Sequence, residues 1–305
     1  MIPILFLVSL AVFFMLHLIP GDPARVALGE EATPQAVAAL RIQLGLNQPL
    51  PAQYLHWVGQ ILQGNFGKSL IDGTPVLKDI LQRLPITFEL GILAFLCSLL
   101  IGMPVGIIAA LYRRSWADWL ATTFALGGLS VPAFWLGILF IIFFAVRLHL
   151  LPASGYVPFS KGVGANLAAM VLPAVSTGIR SAAVIARMLR GSLLEVLGAD
   201  FIRTARAKGV SGRGALWGHA LKNALVPVVT VGGLELSGLL GGIVLTETIF
   251  AIPGFGRLLV DAIFQRDYTT VQGVVLVSAL IVVVVNLLTD LTYTMLDPRI
   301  QTAED

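Results

Sequence analysis

One cysteine, Cys97, is present in 305 residues. No disulfide can form within the chain, and no thiolate-based zinc site can be assembled. Its place in an apolar run predicts a small buried side chain. Histidine is almost as scarce. His17, His56, His149 and His219 fall in no H-E-x-x-H pattern and in no Cys/His cluster, so the chain carries no metal motif. The most telling shortage is charge. Only 12% of residues are charged, against 57% apolar and a mean hydropathy of +0.88. A soluble domain carries about 25% charged residues. A water-soluble fold of this size could not cover its surface with so few, whereas a chain solvated by lipid could. The net charge of +3 and the pI near 9.2 are mild. They suit basic loops at an anionic membrane surface and are too scattered for a nucleic-acid partner.

What is abundant is apolar length. Six runs approach or exceed the roughly 20 residues that cross a bilayer: about 2–19, 85–111, 119–148, 167–189, 224–250 and 271–296. No basic residue precedes the first, and no small-residue cleavage site follows it, so it reads as a retained span. Residues 20–84 are polar and read as a small extramembrane segment. Two short helices are expected there, at about 34–44 and 53–63, with Thr33 as N-cap of the first. Residues 85–296 hold the other five spans, joined by a long connector at about 190–221, and 297–305 form a tail.

Charge sets the orientation. Arg113 and Arg114 lie in one short connector. Arg187, Arg190, Arg203, Arg206, Lys208, Arg213 and Lys222 cluster around the long one. Two spans separate these connectors, so they share a side, and short Lys/Arg-rich loops stay in the cytoplasm. Both termini are then cytoplasmic and 20–84 is outside.

Pro104, Pro132, Pro173 and Pro227 sit in or beside apolar runs. Proline removes a backbone donor and kinks a helix. Gly102-x-x-x-Gly106, Gly127-Gly128, Gly232-Gly233 and Gly238-x-x-Gly241-Gly242 let helices approach closely. Such helices suit a bundle that rocks between two states, and equally one that is simply tightly packed.

The run Asp200-Phe201-Ile202-Arg203-Thr204-Ala205-Arg206-Ala207-Lys208-Gly209 is the most informative. It predicts a short basic helix over about 201–208, with Gly209 ending it and Asp200 capping its start. Its small residues would let a partner's groove come near, and its cations would suit an acidic rim.

This segment resembles the cytoplasmic loop of importer permeases of the ATP-binding-cassette (ABC) class, whose pattern is E-A-A, three residues, G. Arg203-Thr204-Ala205 stands at E-A-A and Gly209 at the glycine, so the glutamate is absent. Pro227 comes eighteen positions after Gly209, later than in the general pattern. Both departures resemble the dipeptide/oligopeptide/nickel branch, with its R-T-A-R-A-K-G and H-A-L-x-N-A-L-x-P-V. His219-Ala220-Leu221-Lys222-Asn223-Ala224-Leu225-Val226-Pro227 matches the latter. Pro20-Gly21-Asp22-Pro23, Gly64-Asn65-Phe66-Gly67, Val131-Pro132-Ala133-Phe134-Trp135, Pro253-Gly254-Phe255-Gly256-Arg257 and Leu296-Asp297-Pro298-Arg299 extend the resemblance over nearly the whole chain. It is that of a B-type, dipeptide-permease-like subunit.

The resemblance implies an all-α polytopic membrane protein of the bacterial inner membrane. It implies six transmembrane helices of the ABC type I importer permease fold, with a small extracytoplasmic segment between helices 1 and 2. It implies a second homologous permease, two ATPase subunits that hold ATP and Mg, and an extracytoplasmic substrate-binding protein. No cofactor is expected on this chain. ATPase coupling would fall to Phe201, Arg203, Thr204, Ala205, Arg206, Ala207, Lys208 and Gly209. The cargo reads as a di- or oligopeptide, with a nickel chelate or glutathione as alternatives. An intramembrane hydrolase would need a paired catalytic motif, and a self-sufficient carrier would show an internal repeat. Neither stands out.

Two charges lie deep in expected spans, Arg180 and Glu235. A central charge costs about 2.5–3.5 kcal/mol on translocon scales and so faces the bundle interior or water. The two pair, or line the solute path and meet the ends of a zwitterionic substrate, or do neither. Glu89, Glu247 and Asp290 lie near span ends. Trp116, Trp119, Trp135 and Trp217 read as interfacial anchors. Gly67-Lys68-Ser69 is no phosphate loop, because Leu62 stands where its first glycine belongs.

Overall fold

The computed structural model describes residues 2–18, 23–28, 32–43 and 45–296. Pro20, Gly21, Asp22, the tail from Asp297 and the side chain of Asp290 lie outside the described residues. Among the described residues all six apolar runs are mainly helical, with breaks at 131–132 and 243. Among the described residues no strand forms, only an isolated antiparallel bridge between Lys68 and Pro75.

In chain order the helices are α1 (Ile2–Leu18), α2 (Pro23–Leu28), α3 (Pro34–Gln43), α4 (Leu50–Leu62), α5 (Val76–Leu111), α6 (Trp116–Ser130), α7 (Ala133–Phe140), α8 (Val163–Gly198), α9 (Asp200–Ala207), α10 (Gly212–Gly214), α11 (Leu221–Gly242), α12 (Val244–Ile249), α13 (Phe255–Phe264) and α14 (Tyr268–Leu296). Wider π-type turns continue α7 over Ile141–Arg147 and lead from α10 into α11 over Ala215–Ala220. Among the described residues α5, α8 and the Tyr268–Leu288 part of α14 are long and apolar enough to cross a membrane alone. The α6 helix and Ala133–Arg147 make a fourth span if taken together, but they meet at 105°.

That angle corrects the simple kink expected at Pro132. Val131 leaves the helix in extended geometry and Pro132 becomes the cap of α7. Proline fixes its own φ and disfavours helix at the residue before it. Pro104, Pro173 and Pro227, by contrast, lie inside continuous helices. The α5 helix begins at Val76, ahead of the apolar run, and passes through Pro85.

The chain folds as two compact units, Met1–Thr87 with Pro253–Val284, and Phe88–Ile252 with Val285–Asp305. In the first, Thr33 caps α3 by accepting from the Ala36 N–H at 3.2 Å. Phe13, Tyr54 and Trp57 form an aromatic cluster between α1 and α4, and the Ser9 and Tyr54 hydroxyls share a 2.8 Å hydrogen bond. Its apolar core gathers Val76, Ile80, Phe255, Leu258 and Val274. Asp267 precedes α14 and is buried. It accepts from the Thr270 N–H at 3.2 Å, the Thr270 hydroxyl at 2.7 Å and the Leu70 N–H at 3.2 Å.

In the second unit α8 is the central post, with sixteen buried residues. The α5 helix lies against it along glycines. A Cβ on Gly102 would stand 2.6 Å from the Ala182 carbonyl oxygen, and one on Gly106 2.7 Å from that of Ala186. Only a residue without a side chain allows that approach. Not every expected glycine contact forms. Gly127 and Gly238 face open space.

Candidate functional site

The basic helix forms where the pattern places it, one residue earlier, as α9. Ala199, not Asp200, occupies the N-cap, with no side-chain cap bond. Asp200 is the first helical residue. Its exposed carboxylate meets Arg203 at 3.4 Å, where a solvated ion pair contributes little. Its backbone carbonyl accepts from the Thr204 hydroxyl at 3.0 Å.

The other end closes sharply. Gly209 has φ +91°, the Gly209 N–H donates to the Arg206 carbonyl at 3.0 Å, and the Val210 N–H donates to the Ala205 carbonyl at 3.1 Å. These two bonds and the left-handed residue define a Schellman ending. Glycine adopts that conformation without the steric cost of a Cβ.

Ile202 is the one buried residue of α9. Ile202 is fully buried, in one cluster with Ile185, Leu189, Leu193, Leu216, Ala220 and Ala224. These come from α8, the π-type turn after α10, and α11. Phe201, Arg203, Thr204, Arg206, Ala207, Lys208 and Gly209 are exposed and Ala205 is half-buried. The eight-residue helix thus presents cations and one aromatic ring outward over an apolar root. Trp217 and His219 are exposed on the neighbouring turn.

A second fixture lies at the start of α6. Ser115 caps that helix, accepting from the Ala117 N–H at 3.2 Å. Asp118 takes two bonds from Arg190 of α8, at 2.6 and 2.9 Å, and one from the Arg114 N–H at 2.9 Å. Two-pronged guanidinium–carboxylate geometry is the strong form of this interaction. Nothing in the local sequence marks Asp118 and Arg190 as partners, because they are 72 residues apart.

Arg180 and Glu235 do not pair. The Glu235 carboxylate instead accepts from the Ser181 hydroxyl at 2.6 Å, and Arg180 is exposed with no ion pair among the described residues. Ser181 turns toward α11 while Arg180, one residue away, points off that face, since neighbours on a helix diverge by about 100°. Nearby the Thr177 and Thr246 hydroxyls meet at 2.9 Å.

Glu89, near a span end, is held by hydrogen bonds. It accepts from the Tyr156 hydroxyl at 2.8 Å and the Asn166 amide at 2.7 Å, and the same amide nitrogen donates to the Val157 carbonyl at 2.8 Å. Burial first, and then the bond to Glu89, push the Tyr156 hydroxyl up to about 12. Glu247 is fully buried. Trp116, Trp119, Trp135 and Trp217 are all exposed, as anchors require.

Comparison with known proteins agrees across the chain. A family model described as "Binding-protein-dependent transport system inner membrane component" matches residues 102–302, and its N-terminal companion matches residues 1–91. The chain is 45% identical over 300 residues to "Probable peptide ABC transporter permease protein y4tP" of Sinorhizobium fredii, covering 98% of this chain and 96% of that one. It is 42% identical over 301 residues to "Glutathione transport system permease protein GsiC" of Escherichia coli K12, covering 99% and 96%. Among solved structures it resembles the inward-facing MetNI methionine ABC transporter, with a TM-score of 0.58, 19% identity, and 72% of this chain and 96% of that chain covered. It also resembles an amino acid ABC transporter, with a TM-score of 0.55, 14% identity, and coverage of 72% and 94%. The fold is that of the ABC type I importer permease.

Proposed function

This chain belongs to the family of binding-protein-dependent transport system inner membrane components, and we propose that it forms half of a path for di- and oligopeptides, driven through α9 by partner ATPases. It is a multi-pass membrane permease subunit of an ABC importer and not an enzyme, since in this family the ATPase is a separate subunit. A second, homologous permease completes the path. Two ATPase subunits carry ATP and Mg. An extracytoplasmic binding protein delivers the peptide. Both termini are cytoplasmic, and residues 20–84 lie outside.

The observation that carries this reading is the division of α9 into a buried root and an exposed cationic surface. Ile202 ties the helix to α8 and to the base of α11. Force applied to Arg203, Arg206 or Lys208 is therefore delivered to two spans at once. Closure of the ATPase pair on ATP moves α9, the bundle turns outward and accepts the peptide, and hydrolysis resets it. In that cycle Phe201, Thr204, Ala205, Ala207 and Gly209 shape the surface that the ATPase groove receives. Arg180 and Glu235 line the path and meet the carboxylate and ammonium ends of the peptide. Glutathione is a second cargo of the same chemistry, favoured by the relative named for its transport.

The test uses the lone thiol. Replacing Cys97 by Ser leaves a cysteine-free chain, into which Ala207→Cys is placed. Its thiol should react in inverted vesicles, stay silent in intact cells, and cross-link to the ATPase subunit. Labelling from outside the cell would overturn the orientation and the coupling role together.

A further inference from the structure

An open slot of about 210 Å³ lies where the end of α5, the middle and later part of α6 and the later part of α8 meet. Its walls are apolar: Val105, Ala109, Ala121, Ala125, Leu126 and Ala186. Its charged lining is Arg187 and Arg190. The Arg190 guanidinium is occupied by Asp118. Arg187, one turn earlier on α8, is exposed and makes no ion pair among the described residues. The connector before α6 adds Arg113 and Arg114, whose side chains are exposed and likewise without an ion pair among the described residues. The Arg114 N–H on Asp118 holds this connector beside the slot's mouth. Asp118 thus pairs directly with Arg190 and also feels the charge of Arg113, and it leaves Arg187 and Arg114 without an ion pair among the described residues.

We propose that this slot seats an acyl chain of an anionic phospholipid, with the headgroup phosphate held by Arg187 and drawn in by Arg113 and Arg114. Three observations converge on that occupant. Apart from Thr122 the walls offer hydrocarbon alone, so a soluble anion has little use for them. The rim offers guanidinium groups with no direct ion pair among the described residues, and guanidinium matches phosphate in geometry and charge. Trp116 and Trp119 stand exposed on the first turn of α6, at 76% and 68%, and such rings settle at headgroup level. Basic pockets between spans on the cytoplasmic side take anionic headgroups. The leaflet follows from the orientation proposed above, whereas the lipid class follows from the slot itself.

The experiment is native mass spectrometry of the assembled transporter, released from detergent carrying either dioleoyl-phosphatidylglycerol or dioleoyl-phosphatidylcholine. Phosphatidylglycerol should stay bound where phosphatidylcholine is lost. Arg187→Gln should weaken its retention about fivefold, the equivalent of the ~1 kcal/mol that one cation at an anionic surface contributes. Ala121→Phe, which fills the slot from α6, should displace the lipid with Arg187 intact. Equal retention of both lipids, or phosphatidylglycerol retention unchanged by Arg187→Gln, would overturn the proposal. So would an Ala121→Phe variant that separates the two permeases and leaves lipid retention unchanged, for then a protein helix fills the slot. Arg187 is exposed and its replacement leaves the fold intact, so the test stands even if the bulkier variant misfolds.

Discussion

The Ser181 hydroxyl of α8 donates to the Glu235 carboxylate of α11 at 2.6 Å, while Arg180 beside it goes unanswered. A hydrogen bond to a charged group contributes about 1.5–3 kcal/mol. Here it orients a carboxylate without cancelling its charge. If the two charges meet the ends of a peptide, Arg180→Met and Glu235→Gln should each lower uptake of a labelled dipeptide into vesicles by at least about tenfold. The ATPase response to the empty binding protein should be preserved. Full uptake with either variant would remove these residues from the path.

Ile202 supports a prediction about coupling. Ile202→Ala opens a cavity beneath α9 and should cost about 2–4 kcal/mol of stability. Ile202→Val should cost about 1 kcal/mol. Because the exposed face is untouched, the ATPase should still assemble with the Ala variant. Its hydrolysis should no longer rise when loaded binding protein is added. Normal stimulation in the Ala variant would show that α9 does not transmit through its root.

The α5–α8 seam predicts a sharp contrast between glycines. Gly102→Ala places a methyl group 2.6 Å from a backbone oxygen and should destabilise the purified chain by about 1–3 kcal/mol. Gly127→Ala meets nothing within 4 Å and should be neutral or slightly stabilising. Thermal unfolding in detergent separates the two.

Acid should loosen one turn selectively. The Thr74 N–H, the Thr74 hydroxyl and the Ser69 hydroxyl hold the Asp72 carboxyl below its ordinary range. A depressed carboxylate pKa contributes stability that is complete above the unfolded value, roughly 3.9, and is lost as pH falls through the lower folded value. Amide exchange over residues 69–74 should therefore keep its protection from neutral pH down to about 4 and lose it below. Asp72→Asn should abolish that acid step.

Much of this architecture was legible because lipid imposes a simple code. Apolar length located all six runs, Thr33 marked the start of α3, and Gly209 marked the end of α9. Elsewhere local pattern was a weaker guide. Residues 76–84 mix Lys78, Asp79 and Arg83 with Val76, Ile80 and Leu84, so no apolar run is visible. Yet Val76 and Ile80, four apart on one helix face, are buried, and they carry α5 ahead of the lipid-like stretch. The proline positions were plain, but of the four only Pro132 stands at a break between helices, and the positions alone do not separate it from Pro104, Pro173 and Pro227. Polar partners were the least legible. The charges of Arg180 and Glu235 suggested one another, whereas a neutral neighbour, Ser181, took the contact. Asp118 with Arg190, and Glu89 with Tyr156 and Asn166, are chosen by tertiary approach. Spacing along the chain carries no trace of them.

The glycines that bring α5 onto α8 have a mechanical corollary. Where main chain rests on main chain there are no long side chains to bend, slide or repack, and the two helices travel as one rigid strut. Whatever swing the importer's cycle demands cannot be absorbed at that junction and is passed on to softer joints. The 105° elbow at Val131-Pro132, where the helix is interrupted, lies one helix along the chain from that strut.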